Sequence, residues 1–63
     1  MAEYRIVILD ADGFELFATS REGMADAKAT AQALLGEKEL RDAGAVKTIL
    51  LNIFGHELCS FEN

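Results

Sequence analysis

His56 and Cys59 are the only histidine and the only cysteine of the chain. They invite two kinds of chemistry, a thiolate–imidazole pair and a metal pair. A nucleophilic thiolate needs a base within hydrogen-bond reach and donors for the developing oxyanion. Three residues apart on a strand, the two side chains point to opposite faces, and no second thiol or imidazole accompanies them. Cys59 therefore reads as a small buried hydrophobe and His56 as a surface residue beside a turn. The run Asp10-Ala11-Asp12-Gly13 opens like a calcium loop. Such loops need further oxygen ligands and a distal bidentate Glu, and those positions hold Leu16, Ala18 and other non-ligands. Asp and Gly are also what a tight turn needs for backbone reasons. The five glycines are dispersed rather than gathered into a phosphate-binding loop.

Carboxylates supply a third possibility. Glu3, Asp10, Asp12, Glu15, Glu57 and Glu62 fall at strand ends and turns. An acidic surface built on Asp10, Asp12, Glu15 and Glu57 could imitate nucleic-acid phosphates and block a basic groove of a host protein. Solubilising charge accounts for the same residues. No metal site, cofactor site or catalytic set is expected. The remaining enzymatic route is a site formed only across a dimer interface.

The elements that must position these residues are written twice. Residues 5–19 align without a gap on residues 47–61, pairing Leu9 with Leu51, Asp10 with Asn52, Gly13 with Gly55, Glu15 with Glu57 and Leu16 with Leu58. Tyr4 to Leu9 is β-branched and aliphatic and ends at a turn signal. Asp10 to Gly13 suits a type I turn followed by a left-handed glycine, a three-residue hairpin loop. Asn52 to Gly55 repeats that grammar. Two hairpins, residues 4–19 and 46–61, thus flank a helical middle, residues 21–42. Thr19-Ser20-Arg21-Glu22 reads as a capping box, and Met24, Ala27, Ala31, Leu34 and Leu35 recur at helical spacing. Leu40 falls off that stripe unless Gly36 ends or kinks the helix. Glu37–Arg41 and Lys38–Asp42 are i,i+4 pairs of a solvated face.

A right-handed crossover then yields a single α+β domain, residues 1–63. It has the order ββαββ, an antiparallel sheet in strand order 2-1-3-4, one helix on one face and an approximate twofold relating the hairpins. Alternation sorts the sheet residues onto two faces. One carries Val7, Leu9, Phe17, Ile49, Leu51, Cys59 and Phe61, bordered by Arg5, Glu15, Lys47 and Glu57. The other carries Tyr4, Ile6, Ile8, Leu16, Ala18, Leu50 and Leu58, with Thr48 and Ser60. Both are apolar, whereas a half-exposed antiparallel sheet needs only one apolar face. The helix is expected on the face with both Phe residues. Tyr4, Ile6, Ile8, Leu16, Leu50 and Leu58 are then left to meet a partner.

Composition limits the function classes. A chain of 63 residues buries only about 60% of its unfolded surface, and small domains usually need a supplement. One cysteine excludes an intrachain disulfide, so association with another chain is the supplement the sequence favours. A net charge of −5 opposes nonspecific contact with phosphate backbones. The longest apolar run is four residues, too short for a membrane span. A lone cysteine without a signal sequence points to a reducing, cytoplasmic setting. The expected function is non-enzymatic, a protein–protein interaction module whose partner is a second copy or another protein.

Overall fold

The computed structural model describes residues 2–62. It contains β1 (Glu3–Asp10), β2 (Glu15–Glu22), α1 (Met24–Leu35), α2 (Lys38–Asp42), β3 (Ala45–Leu51) and β4 (Glu57–Glu62). The four strands form one antiparallel sheet in the order β2-β1-β3-β4. The fold is therefore α+β, with the two most aliphatic strands at the centre.

Both hairpin turns close in the same way. The Asp10 carboxylate oxygen Oδ1 accepts hydrogen bonds from the backbone N–H groups of Asp12 and Phe14, each at 2.9 Å. Asn52 Oδ1 accepts from Phe54 and His56 at 2.9 and 3.0 Å. An Asx side chain thus satisfies turn donors that have no strand partner. Gly13 and Gly55 follow at φ +86° and +83°, in the left-handed region where glycine carries no Cβ penalty.

The helical middle differs from the sequence expectation at its start and ends at Asp42 as expected. Residues 19–22 are strand rather than capping box, because β2 continues in register with β1 from Ile6↔Thr19 to Glu3↔Glu22. The chain turns instead at Gly23, at φ +85°, whose N–H donates to the Ala2 carbonyl at 3.1 Å. The helix is two helices. Gly36 ends α1 with an ordinary φ of −87°, so it acts through poor helix propensity rather than through a left-handed turn. Glu37 is extended, at ψ 128°, and α2 starts in a new direction that brings Leu40 onto the core. Of the two i,i+4 pairs, Lys38–Asp42 closes at 3.0 Å.

The core reverses the expected placement of the helix. Ile6, Ile8 and Leu50 are fully buried and cluster with Ala27 and Ala31 of α1 and with Ala45. Alanines at the buried positions let α1 approach closely over the larger branched side chains of β1 and β3. A helix presenting Ala27 and Ala31 fits above Ile6, Ile8 and Leu50, and close packing of this kind outweighs total apolarity in choosing the face.

Two bulges also redistribute the edge strands. The register passes from Leu9↔Glu15 to Ile8↔Phe17, leaving Leu16 extra. It passes from Leu51↔Glu57 to Leu50↔Cys59, leaving Leu58 extra. One inserted residue inverts the facing of everything beyond it. Phe17, Cys59 and Phe61 consequently join the helix-covered face, opposite Ile8, Leu50 and Thr48. Ala18 and Ser60 move to the uncovered one, opposite Val7 and Ile49.

Thr48 is an irregularity within this core. It is fully buried, and its hydroxyl has no hydrogen-bond partner among the described residues. Its counterpart in the first half of the repeat is the aliphatic Ile6. An unpaired buried hydroxyl costs free energy that an isosteric methyl does not. Thr48→Val is expected to stabilise the fold by about 1–2 kcal/mol. Urea denaturation followed by circular dichroism measures this as a higher midpoint at unchanged slope.

Candidate functional site

The face of the sheet opposite the helices has no layer of secondary structure over it. Its centre is built from the inner strands. Val7 stands in register with Ile49, Arg5 with Leu51 and Leu9 with Lys47. The internal repeat makes this pattern nearly twofold. Val7 corresponds to Ile49, Leu9 to Leu51 and Arg5 to Lys47, so four aliphatic side chains run diagonally between two cations. Glu15 lies beside Leu9, Glu57 beside Leu51 and Glu62 beside Lys47. The face is an apolar diagonal with a charged border of both signs.

The two halves of the diagonal are covered unequally. Arg5 and Glu15 stand two rows apart, with Val7 and Ala18 in the row between. The Arg5 guanidinium nevertheless comes within 4.0 Å of the Glu15 carboxylate, which lays both side chains across that row. Val7 is accordingly only 5% exposed. Leu9, Ile49 and Leu51 remain half-buried. The ion pair is more than half exposed at each partner, and pairs in that setting are weak and readily exchanged.

The turns add apolar surface at opposite ends of the sheet. Ile53 and Phe54 are 70% and 76% exposed. They occupy the two turn positions that Ala11 and Asp12 fill in the first hairpin. Turn geometry constrains the flanking Asx and Gly but leaves these two positions free, so nothing in the fold calls for large apolar residues there. That contrast between the two copies was a legible signal for exposed hydrophobics. A cleft of about 230 Å³ lies at the same end, lined by Glu3, Arg5, Ser20, Asn52, Ile53 and Gly55.

The interface residues expected from the sequence need correction. Ile6, Ile8 and Leu50 are sealed beneath the helices, and Tyr4 and Leu16 are half-buried against the same core. Leu58, at a bulge, is 43% exposed. The uncovered face carries Val7, Leu9, Ile49 and Leu51 instead. The acidic set does not gather into one row. Asp10, Asp12 and Glu15 belong to the β1–β2 turn, while Glu57 flanks the β3–β4 turn at the other end of the sheet. Asp10 is also committed to its own turn.

His56 is exposed, its ring 6.4 Å from that of Phe54. Cys59 is a free, half-buried thiol packed against the core. Among the described residues, no cluster of three His, Cys, Asp or Glu side chains is placed to hold a metal ion, and no helix is long and apolar enough to cross a membrane. Comparison with protein-family models, with curated proteins and with solved structures finds no match to this chain.

Proposed function

We propose that the protein is a non-enzymatic interaction module that pairs with a second copy of itself through the uncovered sheet face. The observation that carries this reading is the diagonal Val7, Leu9, Ile49 and Leu51 on the inner strands, which has no helix or sheet above it and is covered only at Val7, by the exposed Arg5–Glu15 pair. Its near-twofold arrangement suits an isologous contact, in which one patch meets its own copy. Two such sheets packed face to face enclose both diagonals. The border is also self-complementary, since cations on the inner strands of one copy can reach carboxylates on the edge strands of the other.

Size favours the same conclusion. Among the described residues eight apolar side chains are buried, three of them alanines, a small number for a domain that must fold without disulfides. Burying a second layer supplements it. The test is the mass of the full chain in solution at micromolar concentration, by sedimentation equilibrium. The expected mass is twice the 6.9 kDa of one chain, and a mass of one chain overturns the proposal.

A further inference from the structure

The break at Gly36 has a consequence on the opposite side of the molecule from the uncovered face. Where α1 ends and α2 departs, the helical layer leaves Phe17 of β2 partly uncovered. A groove of about 430 Å³ opens there, lined by Phe17, Leu34, Glu37, Glu39 and Leu40. Phe17 belongs to the helix-covered face by register but is 43% exposed. The groove has an apolar floor of one aromatic and two leucines. Two exposed glutamates line it, and no cation is among its lining side chains.

Beside it runs an unpaired strand edge. The bond from Gly23 N–H to the Ala2 carbonyl sets the phase of the β1–β2 ladder. With antiparallel alternation, Thr19 and Arg21 bond inward to β1, whereas Ala18 and Ser20 turn their backbone groups outward. The side-chain bonds agree. Arg21 Nη1 folds back along the edge and donates to the Ser20 carbonyl at 2.6 Å, blunting the edge at that end. Ala18, next to Phe17 and the groove, has no such cover.

We propose that this edge and groove together bind an extended cationic segment of a partner protein. The segment adds as a strand along β2 at Ala18, the recognition mode in which main-chain bonds give affinity and side-chain pockets give specificity. An alternating segment sends every second side chain to the helix side of the sheet. There a leucine- or phenylalanine-sized group fills the space between Phe17, Leu34 and Leu40, and a lysine or arginine next along that side meets Glu37 and Glu39. Cationic chemistry follows from the lining, which offers two carboxylates and no base, and from a chain whose net charge is −5. The groove lies on the opposite face of the sheet from the proposed self-pairing, so its apolar and cationic contacts do not rest on that reading.

The test uses the full, isotope-labelled chain and three synthetic probes followed by NMR titration. They are capped peptides that repeat Leu-Thr-Lys-Thr, Ser-Thr-Lys-Thr and Leu-Thr-Glu-Thr, so that successive side chains on one side of the added strand are leucine and lysine, serine and lysine, or leucine and glutamate. The lysine–leucine peptide is expected to shift the amides of Ala18, Leu34, Glu37 and Leu40 saturably. The other two should bind at least about tenfold more weakly, since both the apolar and the cationic contributions are needed. The double variant Glu37→Gln, Glu39→Gln should weaken the lysine–leucine peptide by about tenfold. The control Glu57→Gln, Glu62→Gln should not. Absence of a saturable shift overturns the proposal, as do equal binding of the lysine–serine peptide, equal loss in the control variant, or shifts centred on Val7 and Ile49. An edge-to-edge pairing of two copies through β2 also overturns it. That outcome appears as Ala18 amide shifts that depend on protein concentration without peptide.

Discussion

Ile8→Asp is expected to unfold the chain. Ile8 is fully buried on an inner strand, in register with Phe17 on one side and Thr48 on the other, beneath the alanines of α1. An aspartate there loses the transfer free energy of a large aliphatic side chain, about 2–5 kcal/mol by analogy with truncation. It also adds a carboxylate with no cation within the core. An unpaired buried charge typically costs a further 3–5 kcal/mol. A domain of this length has a total stability of roughly 3–9 kcal/mol, so a loss of about 5–10 kcal/mol is enough to remove most or all of it. Circular dichroism and NMR should show collapsed amide dispersion and no cooperative thermal transition. A well-dispersed native spectrum for this variant would mean that the helices lie on the other face of the sheet.

Ile49→Asp is expected to do the reverse: the chain stays folded and the pair of copies comes apart. Ile49 is only half-buried, and its side chain points away from the helices, beside Val7 and Ser60. Water can solvate a carboxylate at that position in the single chain, so the cost to folding is that of a strand-propensity change, about 1 kcal/mol. In a face-to-face pair the same substitution puts two carboxylates into an apolar contact near the twofold axis. Unfavourable juxtapositions of this kind cost several kcal/mol. A rise of at least about 100-fold in the dissociation constant follows, which is about 2.7 kcal/mol. Sedimentation should report a single-chain mass at concentrations where the unsubstituted protein is paired, with amide dispersion retained. If the variant keeps the unsubstituted protein's mass, the self-pairing does not use this face.

The contrast between Ile8 and Ile49 shows where sequence reasoning stopped. Both are β-branched residues on inner strands, and their neighbours alternate in the same way. Local chemistry therefore separates them onto opposite faces but does not say which face the helices take. The deciding feature lies in α1. Ala27 and Ala31 form a shallow stripe that closes over Ile6, Ile8 and Leu50, and no count of apolar residues per face reveals that match of volumes. The bulges leave a mark in the sequence. Leu16-Phe17 and Leu58-Cys59 are adjacent apolar pairs at equivalent places in the two copies, and each breaks strict alternation where the ladder inserts a residue.

What the sequence determined by itself is the local and repeated part of the structure. The Asx and Gly residues set two identical turns, because those side chains and that conformational freedom act within a few residues of themselves. The apolar alternation set four strands. Gly36 broke the helix, and a right-handed crossover through that helical middle led to the order 2-1-3-4. Tertiary structure alone decided which face became the core, that Phe17, Cys59 and Phe61 turned towards it, that Val7 lies under an Arg5–Glu15 pair, and that a groove opens beside β2. Each depends on contacts between residues far apart in the chain, and a strand's period of two makes every such outcome hinge on a single inserted residue or on the volume of a facing alanine.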